Sequence, residues 1–355
     1  MTTIYGAAHD AGTYHNTSPG SGSFVVDGFE QIKGIGFGAV KLFFSAQYAT
    51  VDYSLESWSS SPTTLRALAQ TSEMATVLGD STVKHYLLNC FGFTTTGHAD
   101  LWKFPLRDQT SLLSNEYTEI YNLAEHLLQT YDGAGKTFVI QNWEGDWALR
   151  GLTTLGAFVD ITGRRVDRMV AYFRARANAI EQARRDNPTS DVRLLHAFEC
   201  NRVLECLRDR NITSVVNDVL PRLRGSLDLV SYSAYDSIYD LSIGGGGAWH
   251  ANQSAMVSAI AANLPASLAL ISDRAGAPAY IGEWGLAENE MPGGYDAATL
   301  VQAVYDAGEA ASVPYHIYWQ IWDNEGTPPS NRGFWLIDDG DNLTGAGTKW
   351  TALLA

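Results

Sequence analysis

The stretch Thr137-Phe138-Val139-Ile140-Gln141-Asn142-Trp143-Glu144-Gly145-Asp146-Trp147 decides the fold. Its first seven residues are rich in β-branched and aromatic types and too short for a helix, so they read as a strand. An apolar strand without polar alternation belongs to a parallel sheet covered on both faces. Downstream, Val166, Met169, Val170, Phe173, Ala177 and Ile180 recur at three- and four-residue steps, the spacing of one helix face. Strand followed by helix is the βα unit, and the polar, Trp-flanked Glu144 falls just past the strand end.

The same unit recurs along the whole chain. Strands are expected at Ile4–His9, Ala39–Ser45, Lys84–Phe93, Thr137–Trp143, Val192–Phe198, Leu227–Ser233, Ala279–Trp284 and Tyr315–Ile321. Helical faces lie between them at Tyr117, Ile120, Tyr121, Ala124, Leu127 and Leu128, with Ser114 as an expected N-cap, and at Ala297, Leu300, Val301, Val304 and Ala307. Further helices are read near Asp27–Lys33 and Thr63–Thr71. Eight such units predict a single-domain (β/α)8 barrel over residues 1–355. An open doubly wound sheet lacks its Gly-x-Gly-x-x-Gly turn after the first strand, and Gly34-Ile35-Gly36-Phe37-Gly38 precedes a strand instead. Long loops are expected after strands 1, 3, 4 and 6, at Asp10–Ser23, Thr94–Ser114 (with His98, Asp100 and Trp102), Gly145–Thr162 and Ile243–Ala248. All fall on the C-terminal face of a barrel, where active sites are built.

Composition narrows the partners. Hydrophobic residues make up 45% of the 355 and charged residues 18%, enough apolar material for a large core. The formal net charge of −15 repels phosphate backbones and anionic lipid, so neither nucleic acid nor a membrane is an expected partner. No uninterrupted apolar run of membrane-spanning length is read, and no signal peptide is seen at Met1-Thr2-Thr3-Ile4, which leaves localisation and oligomeric state unassigned. Three cysteines are too few to build a disulfide framework; Cys90 reads as buried, and Cys200 and Cys206 could pair if their loop turns back.

Two strand ends carry the chemistry. Glu144 follows the fourth strand and Glu283, in Ile281-Gly282-Glu283-Trp284-Gly285, ends the seventh. Each has tryptophan and glycine beside it. Indole faces pack on the C–H faces of sugars, and cleaving an acetal needs one carboxyl to protonate the leaving oxygen and another to attack or activate water. Trp143, Trp284 and Asp146 are candidates for lining such a site, with Asp146 a rival acid to Glu144. His9 and His196, at the expected ends of strands one and five, are candidate sugar-hydroxyl ligands, and Glu199-Cys200-Asn201 could extend that rim. The same histidines could instead hold a metal. The His-x-His first strand usual in metal-dependent barrel hydrolases is absent, so no metal and no cofactor is expected. Gly-x-Ser-x-Gly is also absent from the expected strand-to-helix turns.

On Glu283-Trp284-Gly285 and Asn142-Trp143-Glu144, the sequence resembles the retaining (β/α)8 glycoside hydrolases of clan A. Members of that clan carry an acid/base glutamate after strand four, directly preceded by asparagine, and a nucleophilic glutamate at the end of strand seven. The resemblance implies Glu144 as acid/base and Glu283 as nucleophile, acting through a covalent glycosyl-enzyme on an oligo- or polysaccharide. Here Trp143 stands between Asn142 and Glu144, a departure that bears on Asn142 as a ligand of the sugar 2-hydroxyl. Tyr318-Trp319-Gln320-Ile321-Trp322-Asp323 is similar to the clan's eighth strand, which implies sugar contacts from Trp319, Gln320 and Trp322. Ser231-Tyr232-Ser233-Ala234-Tyr235 is similar to its sixth, where a tyrosine (here Tyr232 or Tyr235) supports the nucleophile. A barrel that binds saccharide without cleaving it is the alternative, and a metal-dependent barrel hydrolase is a further one.

Overall fold

A computed structural model describes residues 2–10, 14, 20–93, 109–150, 162–240 and 248–355. Eight parallel strands close into a barrel in sequence order. They are β1 (Ile4–Ala8), β2 (Ala39–Phe44), β3 (His85–Cys90), β4 (Thr137–Gln141), β5 (Arg193–Cys200), β6 (Leu229–Ser233), β7 (Ala279–Glu283) and β8 (Tyr315–Tyr318). β1 pairs with β8 through Ile4–Tyr315 to Ala7–Tyr318, which closes the ring. All eight expected strands are present, with ends shifted by a few residues. Most of the expected long loops fall at 11–13, 15–19, 94–108, 151–161 and 241–247, outside the described residues, and with them His98, Asp100 and Trp102.

The helices bury their apolar stripes on the outside of the barrel. Phe24–Ile35 starts on Ser23, whose side chain accepts from the Val26 N–H, and stops at Gly36 in the left-handed region (φ 107°). Gly163–Asp186 buries Val166, Met169, Val170, Phe173 and Ile180 of the face read from the sequence, with Ala177 half-buried at its edge. Gln109–Thr130 begins before Ser114, so Ser114 is interior rather than a cap, and its carbonyl accepts from Thr118. The segment near Thr63–Thr71 forms two short helices, Leu65–Ala69 and Ser72–Gly79. Helix Gln253–Ala275 corrects the reading of the apolar runs: by length and composition it could cross a bilayer. It connects β6 to β7 instead and buries Met256, Ile260, Leu264, Leu268 and Ile271. The cysteines are all free, with Cys206 donating to Arg202 O and Ser214 Oγ, so Cys200 and Cys206 form no disulfide.

Arg176, fully buried on helix Gly163–Asp186, ties the barrel rim together. Its guanidinium donates to Cys90 O at 2.7 Å and to Gln141 O at 2.9 Å, the last residues of β3 and β4, and pairs with Glu116 at 2.8 Å. Glu116 in turn accepts from the Gly92 N–H at 3.0 Å. A planar, five-donor cation suits a place where several carbonyls end together.

Candidate active site

Pairing between β6 and β7 slips at the mouth of the barrel. Tyr232 faces Ile281 and Ser233 faces Glu283, so Gly282 is the extra residue of a bulge. The bulge resets the alternation of β7. Tyr280 points into the barrel, where its hydroxyl donates to Gln141 Oε1. Glu283 points inward as well, and Trp284 turns outward. Only glycine fits between them: a Cβ at Gly282 would lie 1.8 Å from Ser231 Oγ and 2.8 Å from Glu199 Oε2.

A buried charge network supports Glu283 from below. Lys41 on β2 donates to Glu283 Oε2 at 2.9 Å, Glu199 Oε2 at 2.9 Å and Gly282 O at 3.0 Å. An ammonium taken wholly out of water must find partners for its three protons, and here it has three. Glu199, fully buried on β5, also accepts from Gln141 Nε2 at 2.9 Å and Ser231 Oγ at 2.8 Å. Hydrogen bonds gather Lys41, Gln141 and Ser231 around Glu199 inside the barrel, and Glu199 and Ser231 are register partners.

Glu144 reaches the same mouth by a turn. β4 ends at Gln141, and Asn142 and Trp143 intervene before Glu144 adopts φ 27°, a backbone value that L-residues rarely take. The Glu144 carboxyl accepts from Ser233 Oγ at 2.5 Å, from Asn201 Nδ2 at 3.3 Å and from the Trp147 indole N–H. Its own N–H donates to Glu199 Oε1 at 3.3 Å. Because Ser233 is the register partner of Glu283, the two carboxyls share one mouth.

Their proton affinities differ for physical reasons. Burial raises Glu144 well above the usual carboxylate range, and the charge of Glu283 raises it further, against hydrogen bonds from Ser233 and Trp147. Burial also raises Glu283, but the Lys41 ammonium pulls it back. Of the two, Glu144 holds its proton more tightly.

Of the remaining residues singled out in the sequence, some join this mouth. Trp319 packs edge-on against inward-facing Phe43, ring centroids 5.7 Å apart, and the Trp319–Gln320 peptide is cis. Burial raises the Tyr235 phenol, and the charges of Glu283, Glu325 and Glu144 raise it further. Trp143 is partly buried against the core. Gln320 accepts from the Asp10 N–H at 3.1 Å and braces the end of β1.

Others are directed elsewhere, which corrects their expected contact with sugar. His9 lies under helix Phe24–Ile35, bonded to Phe24 O at 3.0 Å and so close that a Cβ on Gly28 would meet its ring at 2.5 Å. Trp322 fills the same layer against His9 and Phe24. His196 faces the helices from mid-strand, stacked near Phe173 and bonded to Ser226 O. Tyr232 faces outward and donates to Asp236. Trp284 packs on His316, Tyr318 and Trp350. Strand alternation accounts for His196 and Tyr232, and the bulge for Trp284. Asn142 is spent on the backbone, exchanging hydrogen bonds of 3.0 Å with the N–H and carbonyl of Glu199. Asp146 likewise accepts from the N–H groups of Asn201 and Arg202, which makes it a clasp between two loops rather than a second acid.

Lys41, Ser233 and Trp147 were not singled out in the sequence, whereas Asn201, read there as part of the rim, does reach Glu144. A signal existed for one of them: Lys41 is the only charge in Ala39-Val40-Lys41-Leu42-Phe43-Phe44, and a lysine inside a fully buried strand requires an anionic partner.

A closed (β/α)8 barrel with two glutamates of unequal proton affinity at its C-terminal mouth is the class that fold and site define. Solved structures with this fold include the exo-β-1,4-mannosidase Op5Man5 from Opitutaceae bacterium strain TAV5, with a TM-score of 0.62 and 13% identity over 99% of this chain. This chain spans 59% of that mannosidase's length. The β-glycosidase BGL167 matches with a TM-score of 0.56 and 16% identity, covering 99% of this chain and 95% of its own. An endo-β-1,4-mannanase from Cellulomonas fimi matches with a TM-score of 0.55 and 15% identity, covering 99% and 70%. No family model matches the sequence, and no curated protein matches it.

Proposed function

We propose that this chain is a retaining glycoside hydrolase acting on an oligo- or polysaccharide. The observation that carries the proposal is the pairing at one barrel mouth of Glu144, which holds its proton, with Glu283, which the Lys41 ammonium makes the readier of the two to ionise. Carboxyls whose environments push their proton affinities apart are suited to separate acid and nucleophile roles. The glycosidase names carried by structural neighbours agree with this reading.

In the first step Glu283 attacks the anomeric carbon as the glycosidic C–O bond breaks, and the Glu144 proton passes to the leaving oxygen. Esterification removes the Glu283 charge, and with it one of the influences keeping Glu144 protonated. Glu144 then accepts a proton from water as the water attacks the same carbon and frees Glu283. Trp319 and Tyr235 offer the aromatic surface beside the reacting ring.

The test is to incubate the purified chain with a panel of β-linked glycans and aryl glycosides and to measure reducing ends. Release is expected, and Glu283→Ala is expected to abolish it. Proton NMR of the first-formed sugar should show the anomeric configuration of the substrate. Inversion would reject the covalent route, and saccharide binding without release by wild type would reject hydrolysis.

A further inference from the structure

Glu199 is a third carboxylate beside the acid pair, and it is placed to touch no substrate. It has no solvent exposure and lies beneath the mouth at the level of Lys41. Its two oxygens reach both halves of the pair. Oε2 takes the Lys41 ammonium, whose other carboxylate partner is Glu283, and Oε1 takes the backbone N–H of Glu144. Gln141 and Ser231 hold the same Oε2 from the neighbouring strands, so its position is fixed from β4 and β6 as well as β2.

We infer that Glu199 is a positioning residue that couples the two glutamates, sharing Lys41 with Glu283 and anchoring the turn that presents Glu144. This deepens the proposed glycosidase reading and rests on it for the word catalysis, but its electrostatic part stands without it. Two carboxylates divide one ammonium, so Lys41 neutralises Glu283 incompletely and leaves it more basic than a private ion pair would. Among the described residues, the groups facing Glu283 from the surrounding elements are Lys41 on β2, Tyr48 after β2, Glu144 after β4, Glu199 on β5, Tyr235 after β6 and Glu325 after β8. Among these, Glu199 and Lys41 are in one hydrogen-bonded chain with it. During the reaction the buried Lys41–Glu199 pair keeps its net charge of zero while the negative charge moves from Glu283 to Glu144.

The experiment is a carbon-13 NMR titration of glutamate side-chain carboxyls in wild type and in Glu199→Gln, with Glu283 and Glu144 assigned by Glu283→Gln and Glu144→Gln. Removing the Glu199 charge gives Lys41 wholly to Glu283, so the Glu283 midpoint should fall by about one pH unit. An unmoved or raised midpoint overturns the inference, whether or not the chain proves to be an enzyme. On a glycoside that wild type cleaves, Glu199→Gln should lower kcat about 10-fold to 100-fold and leave KM within about 2-fold. A raised KM at unchanged kcat would instead make Glu199 a substrate ligand. Wild type inert on every glycoside overturns the proposed function while the titration still decides the coupling. Should Glu199→Gln fail to fold, Glu199→Asp withdraws the charge from Lys41 by one methylene, and the Glu283 midpoint should fall by a smaller amount.

Discussion

Glu144 and Glu283 are chemically the same side chain, and their surroundings give them different tasks. Both are buried, which raises both, and among the described residues only Glu283 has a cation against it. Glu283 is pushed up to about 7 and Glu144 lies well above the usual range. Activity needs Glu283 ionised and Glu144 protonated, so kcat/KM should rise with pH through an apparent value near 7 and fall again at higher pH. The optimum is expected at neutral to mildly alkaline pH; a profile peaking near pH 4 would mean that neither group has the affinity its burial implies. Removal of the acid should also depend on the leaving group. Glu144→Ala is expected to lose about 10²-fold to 10⁴-fold on a glycan, far less on a 2,4-dinitrophenyl glycoside, and to recover turnover with added azide. Equal losses on both substrates would assign Glu144 another role.

At the level of elements, the bulge in β7 and the Arg176 clamp set the geometry. Gly282→Ala drives a methyl into Ser231 and toward Glu199, and neither strand can move without shifting Glu283. A loss of about 1–3 kcal/mol in stability is expected from such overpacking, seen as a lower denaturant midpoint, and Ser231→Gly in the same chain should recover part of it. Arg176→Met strands the buried Glu116 carboxyl and three hydrogen bonds, at a cost of about 3–5 kcal/mol, and a second change, Glu116→Gln, should restore part of that. Full additivity of the two changes would show that the pair is not coupled. The strands themselves were legible in the sequence because a barrel strand is a short apolar run, and both glutamates stood out as acids at the ends of such runs. What the residues could not reveal was which way neighbours face. His196 and Tyr232 lie one step out of phase with the interior residues Glu199 and Ser231, and a strand end read to within two residues does not resolve that phase. Trp284 was misplaced for a further reason: the inserted Gly282 is visible only once β6 and β7 are paired.

The whole molecule carries two opposing sets of buried titratable groups, and their balance governs its response to acid. His196 and His316 are buried and held neutral, lowered to about 4 and about 3. A group with a depressed native value contributes stability above its unfolded value, about 6.5 for histidine, and that stability is lost as the pH falls. Glu144, Glu283, Asp236 and Asp52 are shifted the other way, with Glu283 near 7 and both aspartates near 6. Each of these contributes stability fully present below its unfolded value, near 4, and lost as the pH rises through its native one. Each histidine or carboxyl weighs about 1.4 kcal/mol per pH unit within its window. Shifts in the same two directions occur at His85 and His126 and at Glu119, Glu288, Asp323 and Glu325, so raised carboxyls outnumber lowered histidines and wild type should become more stable between pH 6 and 4.5. Substituting Glu144→Gln and Glu283→Gln together removes two of the largest shifts from the favourable set and narrows its excess. The double variant should melt above wild type at pH 8, and its melting temperature should climb less steeply from pH 6 to 4.5 than that of wild type. Changes in surface repulsion act on both proteins alike, so the difference between the two curves isolates the active-site pair. Parallel curves over that range would show that the glutamates bind protons no more tightly in the folded barrel than in the unfolded chain.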